Sequence, residues 1–191
     1  MALGLESWRE NYRQIQMADQ AIQAIRQELQ KNLDELTSLR RVAGERFKAM
    51  GEARKMIQSL ADPKGAKATN FNFNLGFTFP DLHAAAWRSA GTNLLLHRMT
   101  FDRVQRVEQA YLFHDVMAGW VNQLTIPLLQ ASVDIQEGLD ALKPQSEKLD
   151  PKQALVLDRS PHLFQSIQEQ MVDYSNQAIA TQKAALETFS R

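Results

Sequence analysis

The chain has 191 residues, with 22 lysines and arginines balanced by 22 aspartates and glutamates, and it contains no cysteine. The missing cysteines exclude disulfides, thiol catalysis and cysteine-based metal sites. The zero formal net charge argues against nucleic acid as a main partner, because phosphate binding depends on an excess of basic side chains.

Charge is distributed unevenly along the chain. Residues 40–67 hold eight basic and three acidic residues, whereas residues 134–158 hold six acidic and three basic residues. We expect these two stretches to face each other within one fold. A basic surface for acidic lipid or for a protein partner is the alternative.

The first predicted element is a long helix over residues 5–61. Apolar residues recur along it in two series, each with a spacing of seven, as in the seam of a coiled coil. Asn32 and Arg46 are the polar interruptions. The first series is Ile15, Ile22, Leu29, Leu36, Ala43, Met50 and Ile57, and the second is Ala18, Ile25, Asn32, Leu39, Arg46, Ala53 and Leu60. This helix is longer than the later helices can cover, so its N-terminal end should protrude or pair with another chain.

Residues 70–80 read NFNFNLGFTFP, in which apolar and polar or small side chains alternate. Alternation with a period of two predicts an extended strand-like arm. A lone strand leaves its backbone groups unpaired. The arm should therefore either lie along its own bundle or pair with its copy in a dimer.

Three further helices are predicted after the arm, at residues 81–97, 101–142 and 151–189. Pro80 stands at the start of the helix at residues 81–97, and Thr100 is suited to cap the helix at residues 101–142. Pro127 should kink the helix at residues 101–142, and the helix at residues 151–189 should be broken near residue 160, because proline removes a helical hydrogen bond. Together these elements predict an all-α, single-domain, elongated antiparallel helical bundle with one extended arm at residues 70–80.

The four histidines lack the spacings that metal sites use. None follows a glutamate by three positions, and no two of them are four positions apart. A glycine-rich phosphate loop and a Gly-x-Ser-x-Gly nucleophile motif are also missing. We therefore predict no enzymatic activity, no metal and no cofactor.

Trp87, Tyr111 and His114 are the candidate ligand-binding residues. Aromatic rings beside a histidine could line a cavity between helices. The alternative is that these residues are ordinary core, with their polar atoms hydrogen-bonded at the edge of the core.

Trp8 and Tyr12 are four positions apart and therefore share a helix face, with Arg9 and Arg13 beside them. Aromatic residues flanked by arginine are typical of a membrane–water interface. The pattern predicts that this end of the first helix lies close to a membrane.

Two segments also resemble a group of small bacterial proteins of unknown function, which have one N-terminal transmembrane helix followed by a helical extracytoplasmic domain. Residues 2–13, ALGLESWRENYR, resemble the segment that follows the membrane helix in that group. Residues 80–93 contain the Pro-x5-Ala-Trp motif that ends at Trp87, and residues 107–114 resemble the next helix.

The resemblance implies that Met1 stands in place of a membrane anchor and that the domain faces the periplasm. A cytoplasmic location is the alternative, and the family carries no activity to transfer. We therefore expect a non-enzymatic interaction or scaffold domain, membrane-tethered in the intact protein, with a protein partner or a second copy in a homodimer. The alternative is a sensor bundle that binds a small molecule between its helices.

Overall fold

The computed structural model describes residues 2–61, 79–93, 95–142 and 151–190. Over these ranges the chain is helical and contains no strand, which confirms the predicted all-α bundle with a long first helix. The elements are α1 (Ala2–Ala61), α2 (Ala85–Thr92), a short 3-10 helix (Leu95–Arg98), α3 (Phe101–Leu142) and α4 (Pro151–Glu187). The predicted arm lies outside the described residues except for Phe79 and Pro80, which are in neither helix nor strand.

The buried face of α1 follows the two predicted series. From Ala18 to Ile57 almost every position of the two series is buried, including the polar Asn32. Each fully buried leucine or isoleucine contributes about 1.5–3 kcal/mol relative to an exposed one, so this face stabilises the bundle along most of the helix. The buried members are Ala18, Ile25, Leu29, Asn32, Leu36, Leu39, Ala43, Met50, Ala53 and Ile57.

Helix α2 begins at Ala85, four residues later than the sequence predicts. His83 uses its backbone N–H and C=O to bind the side chain of Asn32, so neither group is available to a helix. The helix ends at Thr92, where the side chains of Thr92 and Asn93 donate hydrogen bonds to the carbonyl of Ser89. Side chains that take the last carbonyls in this way compete with continued helix.

Helix α3 starts as predicted, because the Thr100 hydroxyl accepts a hydrogen bond from the Arg103 N–H at 3.4 Å. It continues through Pro127 to Leu142. Helix α4 likewise continues through Pro161, so the predicted break near residue 160 is absent. Pro161 is fully buried, and Ser160 beside it donates to the Asp134 carboxylate at 3.1 Å. Packing of this kind can offset the local cost of a proline inside a helix.

The chain divides into two compact units, and the single domain predicted from the sequence stays a prediction. The first combines residues 1–37, 80–117 and 177–191, and the second combines residues 38–79 and 118–176.

In the second unit, Arg54 binds the Asp158 carboxylate through two nitrogens, at 2.8 and 3.0 Å, and the Gln165 carboxamide oxygen through the third, at 2.7 Å. Asp158 raises the pKa of Arg54, chiefly through this hydrogen bond. The pair links one residue of the basic stretch (residues 40–67) to one of the acidic stretch (residues 134–158), and the facing of the two stretches along their length stays a prediction.

Candidate functional site

The structure brings together the three residues proposed as a ligand site, all within the first unit. The rings of Trp87 and Tyr111 are stacked with their centroids 5.4 Å apart, and the His114 ring meets Tyr111 edge-on at 4.9 Å. Tyr111 is 4% exposed and His114 is 5% exposed. Tyr111 therefore stacks on Trp87 and meets the His114 ring edge-on, and little of Tyr111 or His114 is exposed to solvent.

Glu28 on α1 is the centre of this cluster, and the sequence reading missed it. One carboxylate oxygen accepts a hydrogen bond from the Tyr111 hydroxyl at 2.6 Å, and the other accepts one from the Ala86 backbone N–H at 3.0 Å. Ala86 lies in the first turn of α2, whose unpaired N–H groups attract negative charge. Glu28 therefore caps α2 from another helix while it holds α3 through Tyr111.

One helical turn after Glu28, Asn32 fixes the chain that leads into α2. Its side-chain amide donates to the His83 carbonyl at 2.8 Å and accepts from the His83 N–H at 2.8 Å. Lys31 Nζ lies 2.7 Å from His83 Nε2. The polar interruption of the apolar series is thus a specific contact with the backbone.

His114 extends the polar contacts to α4. The Gln182 side-chain nitrogen lies 2.6 Å from His114 Nε2 and 3.5 Å from the Ala110 carbonyl. This 2.6 Å contact links the His114 imidazole on α3 directly to the Gln182 carboxamide on α4. Within the described residues, His114 Nδ1 and Gln182 Oε1 have no hydrogen-bond partner.

Burial controls the protonation of this cluster. It lowers the pKa of His114 to about 4, although the nearby carboxylates of Glu28 and Asp115 act in the opposite direction. Burial also raises the pKa of Tyr111, with further contributions from the hydrogen bond to Glu28 and its charge. At neutral pH the imidazole is therefore uncharged and the phenol keeps its proton, and each of these groups serves as a fixed hydrogen-bonding partner.

The second candidate region is the N-terminal part of α1. All twelve residues from 6 to 17, which we call the exposed segment, are exposed, whereas Ala18 is buried. Trp8 and Tyr12 stack at 5.7 Å and are 63% and 52% exposed, and Arg9 and Arg13 beside them are also exposed. The structure thus places the four predicted membrane-proximal residues together on bare helix.

The exposure of this segment follows from where the other helices begin and end. Arg98 binds Asn11 and Tyr111 binds Glu28, so α1 and α3 run in the same direction in the first unit. Phe101, where α3 begins, precedes Tyr111 by the same ten residues by which Ala18 precedes Glu28. Helix α3 therefore does not run alongside the part of α1 that precedes Ala18.

Helix α4 ends at the same place. The Arg103 guanidinium, in the first turn of α3, donates to the Thr188 carbonyl at 2.6 Å and lies over the Phe189 ring at 5.2 Å. The C-terminal end of α4 therefore lies beside the start of α3. Neither helix continues along the exposed segment.

The second unit has a groove of about 910 Å³ between α3 and α4. Its walls carry acidic side chains on α3, Asp134 and Glu137, and Arg159 and His162 on α4, with Pro127 and Leu163 as apolar parts. The sequence predicts a kink at Pro127, but no local pattern associates Pro127 with these α4 residues.

Residues 2–61, 79–93, 95–142 and 151–190 contain neither a metal-binding cluster nor a membrane-spanning helix. In those ranges no three histidine, aspartate or glutamate side chains are placed to hold a metal ion. None of the helices there has the length and apolar character needed to cross a bilayer.

No family model, no curated protein and no solved structure matches this chain. The resemblance to tethered bacterial proteins therefore stays a prediction.

Proposed function

We propose that this chain is a non-enzymatic interaction or scaffold domain that is membrane-tethered in the intact protein. The observation that carries the proposal is the exposed segment, where twelve consecutive residues of a helix are exposed and include a stacked Trp8–Tyr12 pair. Large exposed apolar side chains grouped on one surface are characteristic of contact sites.

The buried cluster supports the non-enzymatic part of the proposal. Glu28, Tyr111 and His114 are the residue types that acid–base catalysis uses, but each is bound to another part of the protein. A catalytic acid or base must come within hydrogen-bond reach of the proton that it transfers. Here the carboxylate oxygens, the phenol hydroxyl and the imidazole Nε2 are used to join four helices.

The tether is proposed from the side chains of the exposed segment. Aromatic rings next to Arg9 and Arg13 suit the boundary between lipid headgroups and water. The periplasmic side is the proposed location, which follows the family resemblance, and the cytoplasm is the alternative.

The gene sequence upstream of the codon for Ala2 tests the tether. We expect it to encode a segment of about 20 apolar residues, the length that spans a bilayer. Membrane fractionation of the product of that longer reading frame, compared with the chain that starts at Met1, gives the biochemical counterpart. If both products stay in the supernatant after high-speed centrifugation, the tether is refuted.

A small-molecule sensor is the second candidate, and the groove in the second unit supports it better than the Trp87 cluster does. The groove of about 910 Å³ is as large as ordinary ligand sites. A thermal-shift screen of small molecules tests this candidate on the wild type and on Leu163→Arg, which fills the groove with a charged side chain. A stabilising compound whose effect is unchanged in the variant would exclude the groove as its site.

A further inference from the structure

We infer that the exposed segment, residues 6–17 of α1, pairs with the same segment of a second copy of this chain. The inference rests on the proposed interaction role and names its partner. It is carried by the register of the apolar residues, by the positions of the charges and by the helical state of the segment.

The register of the exposed segment is that of the buried face of α1. Trp8 and Ile15 are seven residues apart and continue the series in which Leu29 and Leu36 are fully buried. A spacing of seven keeps one face of a helix against a neighbouring helix. The segment therefore carries a helix-packing face at positions where α3 and α4 no longer accompany it.

Charged side chains avoid that face. At about 100° per residue, Arg9, Arg13, Glu6 and Glu10 lie on the side of the helix turned about 100–200° from Trp8. Tyr12 and Ile15 lie within about 40° of Trp8. Asn11, at the edge of this face, accepts a hydrogen bond from Arg98 at 3.2 Å. An uncharged face with charges behind it is the arrangement found in a two-helix pair.

The charges also favour a second copy over an anionic lipid surface as the occupant of the packing face. Arg9 and Arg13, which are turned away from that face, are the residues that the proposed tether places at the headgroups. Two arginines and two glutamates cancel, so the segment has no net positive charge to attract anionic headgroups. A second copy presents the same uncharged face, and its charges are likewise turned away. Pairing through Trp8 and Ile15 therefore brings none of the segment's own charged side chains together, while Arg98 stays bound to Asn11 at the edge of the face.

The segment is already helical before it meets its partner. Short isolated helices are marginal in water because the first turn is costly to form. Here α1 is continuous from Ala2 to Ala61, so the buried part supplies that first turn. The face is only about 18 Å long. We therefore expect weak, concentration-dependent pairing in the micromolar range or above.

Sedimentation equilibrium of the 191-residue chain over a concentration series tests the inference. We expect the average mass to rise from one copy toward two as concentration increases. Ile15→Glu places a charge on the packing face and should weaken dimerisation at least about tenfold. Met17→Glu is the matched control, because Met17 is also exposed (43%) but lies about 180° from Trp8. It should dimerise like the wild type.

Circular dichroism should show the same helix content in all three proteins, because neither position is buried. A wild-type chain that stays monomeric up to about 1 mM would overturn the inference. Equal weakening by both substitutions would overturn it as well, since the face would then be irrelevant.

A vesicle-binding experiment distinguishes pairing with a second copy from binding of the same face to lipid. A monomeric wild type that binds vesicles containing phosphatidylglycerol, with binding lost in Ile15→Glu, would assign the face to a lipid surface and overturn self-pairing. The proposed tether is tested by the upstream gene sequence. Failure of the pairing and failure of the tether are therefore observed in different experiments.

Discussion

Two neighbouring parts of α1 have the same repeat and opposite surroundings. From Ala18 to Leu36 the repeat is buried against α2, α3 and α4, whereas in residues 6–17 the same repeat is exposed. The first series is apolar in both parts, at Trp8 and Ile15 as at Leu29 and Leu36, so the exposure of Trp8 and Ile15 follows from where α3 begins and α4 ends. A seven-residue repeat thus predicts a surface that packs against a helix, but it does not indicate whether that helix belongs to the same chain or to another.

The largest expected effect is at Leu29. Leu29→Ala removes a fully buried side chain and should lower the free energy of unfolding by about 2–5 kcal/mol. Ile15→Ala, made in the same series on the exposed segment, should change it by less than about 0.5 kcal/mol in dilute solution. Urea denaturation of both variants measures the difference. Similar losses in the two would show that the exposed segment is packed in solution.

The next effect depends on pH. Because the pKa of His114 is about 4 in the folded chain and near 6.5 when unfolded, the unfolded chain binds the additional proton between these values. The contribution of His114 to the free energy of unfolding is therefore fully present above pH 6.5. It falls by on the order of 3 kcal/mol as the pH decreases to 4.

Unfolding free energies measured from pH 7 to pH 4 should show this loss, and His114→Gln should flatten the curve. The negative charges of Glu28 and Asp115 favour the charged form of His114, so they moderate the loss. An unchanged pH curve in His114→Gln would assign the dependence to other groups. The exposed segment contains no histidine and makes no contribution here.

A smaller effect distinguishes Tyr111 from Tyr12. Tyr111→Phe leaves one Glu28 oxygen without its buried donor and should cost about 1–3 kcal/mol. Tyr12→Phe, the same change on the exposed segment, should cost almost nothing. Chemical denaturation reports both. The double variant Glu28→Gln/Tyr111→Phe should lose less free energy of unfolding than the sum of the losses in the two single variants. Strict additivity would contradict a direct bond between the two side chains.

The smallest effect is a gain in stability at Gly119 on α3. A methyl group added there meets no atom within 4 Å, so Gly119→Ala should stabilise the helix by about 0.5–1 kcal/mol. At Gly51 on α1 the added carbon would lie 2.9 Å from the Gln165 side-chain nitrogen. Because Gln165 also binds Arg54, Gly51→Ala should gain less. Thermal melts that rank the two substitutions in the opposite order would refute this reading.

The sequence predicted what depends on local pattern. The apolar series predicts the buried face of α1, Thr100 predicts the start of α3, and Trp87, Tyr111 and His114 are predicted as one group. Whether these three residues bind a ligand stays a prediction. The later start of α2 and the continuity of α4 were not predictable, because they depend on Asn32 reaching His83 and on the burial of Pro161.

Glu28 was missed for a related reason. It lies beside Leu29, outside the two series, and its partners Ala86 and Tyr111 are 58 and 83 residues away. A single glutamate among the many on a charged helix carries no local signal of burial. A weak signal does exist in retrospect, since Glu28 and Asn32 are one turn apart and share a face with the apolar series.

The amide of Asn32 has a consequence for how the chain selects its alignment. A repeat of seven lets one helix slide along its neighbours by a whole repeat and still meet apolar side chains. Such a slide would bring Ile25 or Leu39 opposite the backbone of His83, and neither side chain can replace the two hydrogen bonds at 2.8 Å. Asn32 therefore specifies the register of α1 in an otherwise repetitive face, because alignments shifted by seven residues lose both hydrogen bonds to His83.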